Sequence, residues 1–443
     1  MNTPVYDFLK AYAQREGVRF HMPGHKGKGL LGIEALDITE IDGADDLSCA
    51  SGIIAESEKN ATILWGTGRT VFVTGGSTAA IEAMLFLAAS RYRTEEKPSI
   101  LAARNAHRAF LHGVALLDIP VTFMLPENAR AVYSGVLSPE EVERAIQNAP
   151  TPPFAVYITS PSYLGEISDI AGISAVCKKY DLPLLVDNAH GAYLAFLSPS
   201  LHPIHLGATM CADSAHKTLP VLTGGAYLHI ARGKEGLFGD VKDAISLFSS
   251  TSPSYLTLAS LDLANRTLAD GYPERIAKAV ALTKEAKQVL STRGFTLLPS
   301  EPLKIVFAAR NAKAIADTLR AHKIECEFCD QTHLVLMTSA ENDPPDFDDL
   351  LAALPLQAQD EAPFSSPPRP HIPDAALSIR EALFAQRERV PVKDALGRIY
   401  AEISASCPPA VPILICGERI DQSAIDALLY YGTESVLVVK DTP

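Results

Sequence analysis

From residue 70 onward, short apolar runs rich in β-branched and aromatic residues alternate with stretches of helical periodicity. This pattern predicts strands at 70–74, 99–103, 121–125, 154–159, 182–187, 208–213 and 226–230, and helices at 77–90, 107–117, 138–149 and 169–180. Strands that alternate with helices are typical of a mainly parallel sheet covered by helices on both faces. We therefore expect an α/β fold.

The pattern changes between about residues 270 and 300. A long helical stretch at 273–294 is followed by a strand–helix–strand–strand pattern, with its elements at 303–309, 311–323, 324–328 and 333–339. We predict a large ligand-binding domain over 51–294 and a smaller α+β domain over 295–443. Residues 1–50 show little periodicity, and we expect them to form an N-terminal arm.

Length and composition narrow the class of protein. Of the 443 residues, 47% are hydrophobic and 21% are charged, the balance of a soluble globular protein. No apolar run approaches the ~18 residues of a membrane span, and we expect no signal peptide, because the N-terminus lacks a basic start before an apolar run. A net charge of −13 argues against a nucleic-acid partner, since phosphates need a basic face.

The seven cysteines are scattered, and a reducing cytoplasm is the expected compartment. Cys326 and Cys329 form the one close pair. A zinc site requires a second Cys or His pair nearby, and in a thioredoxin-type site the pair lies at the start of a helix. Neither follows, so we expect structural thiols and no metal.

In an open parallel sheet, ligands bind outside the carboxyl ends of the strands, so the polar residues that follow each strand are the candidates. After the strand at 70–74 come Gly75-Gly76-Ser77-Thr78 and then a helix. Glycines let the backbone approach a ligand, and the start of a helix attracts anions. This loop is a candidate phosphate site, and the alternative is a simple helix cap.

Three further strand ends carry candidate groups. His107 is either a histidine satisfied at a helix start or a planar ring that stacks on a flat ligand. Asp187 ends an apolar strand, where a carboxylate is costly without a cationic partner, unless it only caps the next turn. Lys217, beside His216, is either an amine nucleophile with a pKa lowered by desolvation or a solvated loop lysine.

Taken together, these groups match the needs of pyridoxal phosphate. The phosphate needs donors, the ring needs a stacking partner, its nitrogen needs a carboxylate, and the aldehyde needs an amine. Asp187 precedes Lys217 by thirty residues, an order that fits fold-type-I enzymes.

Four segments of the chain are more specific still: HMPGHKGKG at 21–29, DITEIDGADDL at 37–47, SAHKTLPVLTGGAYLH at 214–229 and PPAVPILICGE at 408–418. They resemble the signature blocks of the Orn/Lys/Arg decarboxylase family, and the resemblance runs almost end to end. The chain is similar to the short members, which lack an N-terminal wing domain. The resemblance implies a fold-type-I enzyme that uses pyridoxal phosphate to decarboxylate a basic amino acid, as a homodimer or a larger homo-oligomer.

The resemblance also implies a role for each matching residue around the cofactor ring. Lys217 would hold the cofactor as its Schiff-base lysine, and Asp187 would pair with the ring nitrogen. His107 would stack on one face of the ring, Ala189 would pack on the other, and His190 would lie close to the phenolic oxygen. The phosphate would be held by Ser77, Thr78, Ser214 and His216.

Glu418 would face the active site and meet the substrate; the alternative is a cap on the helix that follows it. The aspartates of the DGADD segment, Asp42, Asp45 and Asp46, would contribute less. The phosphate loop departs from the family by reading GGST where asparagine-glycine is usual. Cys407 and Cys416 stand where tyrosine and proline are more common, which leaves the substrate open among lysine, arginine and ornithine.

Two rival functions remain open from the sequence. The first is another reaction on the same scaffold, such as transamination or lyase activity on the side chain of the substrate. An aminotransferase usually grips the α-carboxylate with an arginine, and the C-terminal candidates are Arg380, Arg387, Arg389 and Arg398. The second is a non-catalytic paralogue with a binding or regulatory role.

Overall fold

A computed structural model describes residues 1–15, 17–92, 98–129, 131–356, 367–403, 406–407 and 411–441. The chain divides into two units: unit 1 comprises residues 1–93 and 183–276, and unit 2 comprises residues 94–182 and 277–443. The predicted domain limits, with an arm over 1–50, a large domain over 51–294 and a small one over 295–443, stay a prediction.

The α-helices of the described residues are α1 Pro4–Gln14, α2 Ile53–Leu64, α3 Gly76–Ser90, α4 Arg108–Leu117, α5 Pro139–Gln147, α6 Ile170–Lys179, α7 Ala215–Thr218, α8 Val241–Ser246, α9 Tyr255–Ala269, α10 Tyr272–Thr292, α11 Ala312–Ala321, α12 Pro344–Ala353, α13 Ile379–Phe384 and α14 Gln422–Tyr430. The strands are β1 Arg69–Val73, β2 Ser99–Ala103, β3 Val121–Met124, β4 Pro153–Thr159, β5 Leu184–Asp187, β6 Met210–Asp213, β7 Ala226–Ile230, β8 Thr296–Leu297, β9 Lys304–Ala308, β10 Phe328–Cys329, β11 His333–Met337, β12 Arg387–Pro391, β13 Ser406–Cys407, β14 Val411–Pro412 and β15 Ser435–Val439.

In unit 1 the strand order is β1-β7-β6-β5. β5 and β6 are parallel, whereas β7 is antiparallel to both β6 and β1. β1, β5 and β6 therefore run in the same direction, and their carboxyl ends reach the same edge of the sheet. Every residue of β5, β6 and β7 is buried, as expected for strands covered on both faces.

Unit 2 contains the parallel strands β4, β2 and β3, in that order. It also contains an antiparallel sheet in the order β10-β11-β9-β8. The apolar face of this second sheet packs against α11 and α12 through buried residues that include Phe307, Leu319, Leu334 and Phe347. The strand–helix–strand–strand pattern read from the sequence belongs to this sheet.

Most predicted limits are confirmed to within about two residues, and β2 and β7 match in full. The strand predicted at 324–328 is wrong over most of its length, since β10 covers only Phe328 and Cys329. Lys323 takes a left-handed conformation (φ 63°) at the end of α11, and the Ile324 N–H donates to the Leu319 carbonyl at 2.9 Å. The start of that segment therefore closes the helix instead of extending a strand.

The arm contains a helix that the sequence analysis missed. α1 begins with Pro4 at its first turn, where the missing N–H costs nothing, and it buries Val5 and Leu9 on one face. Val5, Phe8, Leu9 and Tyr12 follow the i, i+3, i+4, i+7 spacing of an amphipathic helix, so the signal for α1 was present in the sequence and was overlooked. Among all the helices described above, none combines the length and the apolar character needed to cross a bilayer.

Candidate active site

Three segments of unit 1 meet where β1, β5 and β6 end. Gly75–Thr78 follow β1, Asp187–Gly191 close β5, and Ser214–Thr218 follow β6. Hydrogen bonds tie the segments to one another. The Ser214 hydroxyl donates to Ser77 Oγ at 2.7 Å, and Lys217 Nζ lies 3.1 Å from His190 Nε2. The structure thus brings most of the predicted cofactor residues to one edge of the sheet.

Lys217 lies in α7, a single helical turn in which the Lys217 N–H donates to the Ser214 carbonyl at 3.1 Å. Its side chain is half-buried, and its amine is within hydrogen-bonding distance of the buried His190 ring. The amine therefore does not belong to a freely solvated loop lysine, the alternative that the sequence left open. Short contact with an imidazole gives it a partner for proton exchange.

The start of α3 has the features of an anion cradle. Gly76 has φ 72°, which favours glycine, and a side chain at Gly75 would crowd Ala79 to 3.1 Å. The N-cap residue Gly75 has no side chain to cap α3, and the Gly76 N–H donates to the Gly224 carbonyl at 2.9 Å. Ser249 Oγ lies 3.6 Å from the Cβ position of Gly75, and this buried hydroxyl has no hydrogen-bond partner among the described residues. Ser249 could not be predicted from the strand ends, because it follows the helix α8 and not a strand.

His216 is oriented by the loop that precedes β7. Its Nδ1 donates to the Gly225 carbonyl at 3.0 Å, so its Nε2 can donate to a phosphate only in the imidazolium form. Ser77 is half-buried, and while its Oγ accepts from Ser214 its own O–H can still donate to a ligand; the side chain of Thr78 is exposed. The phosphate-binding roles of these residues stay a prediction.

Asp187 is the last residue of β5, and its side chain is almost completely buried. Its Oδ1 accepts the N–H of Ala189 at 3.1 Å, so the turn-capping role considered from the sequence is present. A carboxylate has about four acceptor positions, so this hydrogen bond does not exhaust it. Pairing with a ring nitrogen, and the packing of Ala189 on the ring, stay predictions.

His107, in unit 2, is the N-cap residue of α4. Its Nδ1 accepts the N–H of Ala109 at 3.2 Å, which confirms the helix-start interpretation of this residue. The ring is half-buried, and Nε2 carries its proton in the neutral form. Capping fixes the ring orientation, as stacking would require, and the stacking itself stays a prediction.

Glu418 has a partner that the sequence analysis missed. Arg104 directly follows β2 and forms a two-pronged ion pair with Glu418, at 2.5 and 2.7 Å, and both side chains are buried. The Ile415 N–H also donates to Glu418 at 2.7 Å. The expected alternative, a cap on the following helix, is wrong, because Asp421 caps α14 through the Ala424 N–H. The substrate role of Glu418 stays a prediction, and its charge is already compensated by Arg104.

We expect Glu418→Gln to lower the stability of the apoprotein by about 3 kcal/mol or more. Removing one partner of a buried ion pair leaves the guanidinium of Arg104 without compensation, and that cost exceeds the loss of the hydrogen bonds alone. Thermal and urea unfolding measure the change.

Glu388→Gln is the matched control, because Glu388 pairs with Arg398 at 2.6 Å while 40% of its side chain is exposed. Breaking an exposed pair costs about 1 kcal/mol or less. If Glu418→Gln unfolds like the parent but has a raised Michaelis constant, the substrate role is favoured over the ion pair.

Asp45 organises the local backbone of unit 1. Its carboxylate accepts the N–H groups of Asp46, Ser51, Gly52, Ile54 and Ala55 around the start of α2. Burial alone would raise the pKa of Asp45, but these donors hold it below its ordinary value. Asp46 in turn accepts the N–H of Ser48. A substrate contribution from either residue stays a prediction.

The four C-terminal arginines all have structural partners. Arg380 donates to the carbonyls of Ala115 and Leu116, and Arg387 to that of Ala401. The remaining two form ion pairs, Arg389 with Glu402 and Arg398 with Glu388 and Asp441. None of these contacts favours a carboxylate clamp of the aminotransferase kind.

The described cysteines are free, and their exposure varies: Cys177, Cys211 and Cys416 are buried, whereas Cys49 is exposed. Cys326 and Cys329 are free and half-buried, and burial raises the pKa of Cys329 to about 11. Burial likewise raises the pKa of Cys416 to about 12. The side chain of Cys407 lies outside the described residues, as do residues 408–410 of the last family-like segment.

The fold is similar to that of solved decarboxylases. The lysine decarboxylase of Francisella novicida matches 98% of this chain and 79% of its own, with a TM-score of 0.81 at 18% identity. The constitutive lysine decarboxylase of Escherichia coli matches 99% of this chain and 82% of its own, with a TM-score of 0.77 at 18% identity. The fold is that of the fold-type-I pyridoxal-phosphate enzymes, as predicted.

Sequence similarity narrows this class. The Orn/Lys/Arg decarboxylase major domain matches residues 3–306, and the family's C-terminal domain matches residues 358–434. The arginine decarboxylase of Halalkalibacterium halodurans is 31% identical over 95% of this chain and 91% of its own length. That of Bacillus subtilis is 29% identical over 96% and 92%. The chain belongs to the Orn/Lys/Arg decarboxylase family, and it is a pyridoxal-phosphate-dependent amino-acid decarboxylase.

The residues present at the strand ends of unit 1 fit this cofactor. The glycine-led start of α3 suits a phosphate, as does the Ser249 hydroxyl, which lacks a hydrogen-bond partner within the described part of the chain. The buried carboxylate of Asp187 suits a protonated ring nitrogen, and the amine of Lys217 suits the aldehyde.

Proposed function

We propose that the protein decarboxylates a basic L-amino acid, namely lysine, arginine or ornithine, and releases carbon dioxide and a diamine or agmatine. Such a product is a polyamine precursor. The observation that carries the proposal is the amine of Lys217, held 3.1 Å from the buried His190 ring next to the end of β5, in a chain related to arginine decarboxylases.

Each residue then has a defined task. Pyridoxal phosphate, when bound, supplies the electron sink that makes loss of the carboxylate possible. Lys217 holds the cofactor before the substrate arrives and can return a proton to Cα. Asp187 keeps the ring nitrogen protonated, and the hydroxyls of Ser77, Thr78 and Ser214 bind the phosphate. His190, in contact with the amine of Lys217, helps to orient it.

Charge supports a cationic substrate, although it does not select one. The chain carries a net charge of −13, and a cationic side chain in a partly dry site needs an acid beside it. Glu418 is the predicted acid, but it would have to share its carboxylate with Arg104. Which of the three amino acids is used is therefore a matter for assay.

The test is release of labelled carbon dioxide from carboxyl-labelled lysine, arginine and ornithine by purified protein loaded with pyridoxal phosphate. We expect release from at least one of the three, with the matching amine as product. Release from none of them would contradict the basic-amino-acid assignment. An amino-group transfer to a keto acid without carbon dioxide would favour the aminotransferase alternative.

We further propose that the protein is a homodimer or a multiple of one. The arm exposes large apolar side chains, among them Val18, Phe20, Met22, Leu30 and Leu31, with Phe20 94% exposed. Large apolar side chains exposed within one short segment indicate an interaction site, and a second copy of the chain is the partner that the family resemblance implies.

We expect light scattering to give at least twice the mass of one chain, and Phe20→Ser combined with Leu31→Ser to reduce it to one chain. Ile63→Ser, on the exposed face of α2, is the control and should keep the parent mass. A parent protein that is monomeric at micromolar concentration would contradict this proposal. The cytoplasmic location stays a prediction from cysteine usage.

A further inference from the structure

Behind the candidate active site, unit 1 contains a fully buried network of polar side chains centred on Asp213. The Oδ2 of Asp213 accepts from His202 Nε2 at 2.9 Å and from His229 Nε2 at 3.2 Å. Its Oδ1 accepts from Asn188 Nδ2 at 2.8 Å and from the Cys211 thiol at 3.4 Å. Asp213 and both histidines are completely inaccessible to solvent.

The hydrogen bonds of this network form a consistent set. The Ile204 N–H donates to His202 Nδ1 at 3.3 Å, so the proton of that ring lies on Nε2 and faces Asp213. His229 Nδ1 is 2.9 Å from Thr70 Oγ1, which leaves its Nε2 to donate to Asp213. A proton on Nε2 of each histidine, facing the carboxylate of Asp213, therefore satisfies these contacts.

The same geometry explains how a buried charge persists there. Burial would raise the pKa of Asp213, but the two histidines and their hydrogen bonds hold it well below its ordinary value, and burial lowers the pKa of His202. The other titratable side chains near the carboxylate are Cys211, Tyr227 and His205. His202, Cys211 and Asp213 place donor atoms within 4.8 Å of one another, but hydrogen bonds already occupy Asp213 and His202 without an ion.

Asp213 also connects two segments that carry the candidate active site. It is the last residue of β6, immediately before Ser214 and four residues before Lys217 in the helical turn α7. Asn188, to which it is bonded, immediately follows Asp187. The Asn188 carbonyl accepts the N–H of Gly191 at 2.8 Å, so Asn188 is also built into the turn that carries Ala189 and His190.

We propose that Asp213 is a positioning residue, which holds the Asp187–Gly191 turn in register with the Ser214–Lys217 segment through Asn188. The spacing between the carboxylate of Asp187, the ring of His190 and the amine of Lys217 then depends on a group that touches neither substrate nor cofactor. This inference rests on the proposed roles of Asp187 and Lys217.

Asp213→Asn keeps the size of the side chain but presents an amide NH₂ to a set of donors, so at least one of His202, His229 and Asn188 loses its acceptor. We expect the apoprotein of this variant to bind pyridoxal phosphate at least about tenfold more weakly than the parent apoprotein. A tenfold loss of affinity is comparable to the cost of one unsatisfied buried polar group. Turnover should fall more than the Michaelis constant changes, because orientation is lost and substrate contacts are not.

Asn188→Ala removes the same connection from the other side, and the double variant tests whether the two residues act through one bond. We expect the double variant to bind the cofactor no more weakly than the worse single variant. Asp262→Asn is the control: it is a buried aspartate of unit 1 that accepts from the Tyr6 N–H and the Ser57 hydroxyl, and it should leave cofactor affinity within about threefold.

Trp65, the chain's single tryptophan, reports on folding in the same samples, because its ring lies 4.7 Å from that of His229 and 5.3 Å from that of His202. Parent-like emission with weakened cofactor binding supports positioning. If Asp213→Asn does not fold, Asn188→Ala alone carries the test.

Parent-like cofactor affinity in the folded variants, or strictly additive losses in the double variant, would overturn the proposal. Cofactor binding is followed by absorbance without substrate. If the parent protein binds the cofactor but decarboxylates none of the three amino acids, the proposed function is contradicted. The effect of the Asp213 and Asn188 variants on cofactor affinity can still be measured.

Discussion

Lys217→Ala protein is expected to stay colourless after incubation with pyridoxal phosphate and to lose decarboxylation by about 10³-fold or more. The variant loses both the amine that holds the cofactor and the group that returns a proton to Cα. The structure supports this choice of lysine, because the amine of Lys217 contacts the buried ring of His190 at the edge where β5 and β6 end. Borohydride reduction followed by peptide mapping measures the attachment.

Lys234→Ala is the control, since Lys234 lies exposed in the loop that follows β7. It should retain the parent's colour, its reduced adduct and its activity. If mapping of the parent places the cofactor on a lysine other than Lys217, the assignment of the site is wrong even if the protein decarboxylates a basic amino acid.

Much of the candidate site could be predicted because its residues are encoded locally. Asp187 ends an apolar strand, Lys217 follows another, and the loop at 75–78 follows a third. The rule that ligands bind at the carboxyl ends of strands needs only the strand limits, and these came from apolar runs that are buried on both faces. The structure then shows why the rule applies in unit 1: β1, β5 and β6 run in the same direction.

The contacts that could not be predicted join residues far apart in the chain. Arg104 and Glu418 are separated by 314 positions, and nothing in either local pattern indicates that they pair. The one available signal was the charge on Arg104, directly after the fully buried strand β2, where an unpaired guanidinium would be costly. Glu418 was therefore assigned to a substrate cation, although a cation of the chain itself already lies against it.

The network around Asp213 was missed for a related reason. In the sequence, Asp213 ends a predicted strand, and the candidate ligand-binding residues are those that follow it. Its partners His202 and His229 instead come from a loop and from the antiparallel strand β7. A carboxylate that ends a buried strand needs donors, but the sequence does not say which ones. The same limit applies to Asp187, for which two functions remained open.

Asp187→Asn separates those two functions and is expected to lower turnover by about 10³-fold while cofactor binding persists. Turn capping needs only an acceptor. In the parent, Asp187 Oδ1 accepts the Ala189 N–H at 3.1 Å, and the side-chain oxygen of an asparagine at 187 can accept the same N–H. A protonated ring nitrogen needs the negative charge, which asparagine lacks. Each unit by which the pKa of that nitrogen falls corresponds to about 1.4 kcal/mol, so a fall of several units gives the expected loss.

Steady-state decarboxylation, with cofactor occupancy measured by absorbance in the same samples, tests this prediction. The exposed Asp270, at the end of α9, provides the control variant Asp270→Asn, which should match the parent. If Asp187→Asn binds the cofactor and keeps its activity to within about tenfold of the parent, Asp187 acts as a cap and the nitrogen has another partner. A variant that neither folds nor binds the cofactor would instead show that the buried carboxylate of Asp187 is needed to stabilise the end of β5.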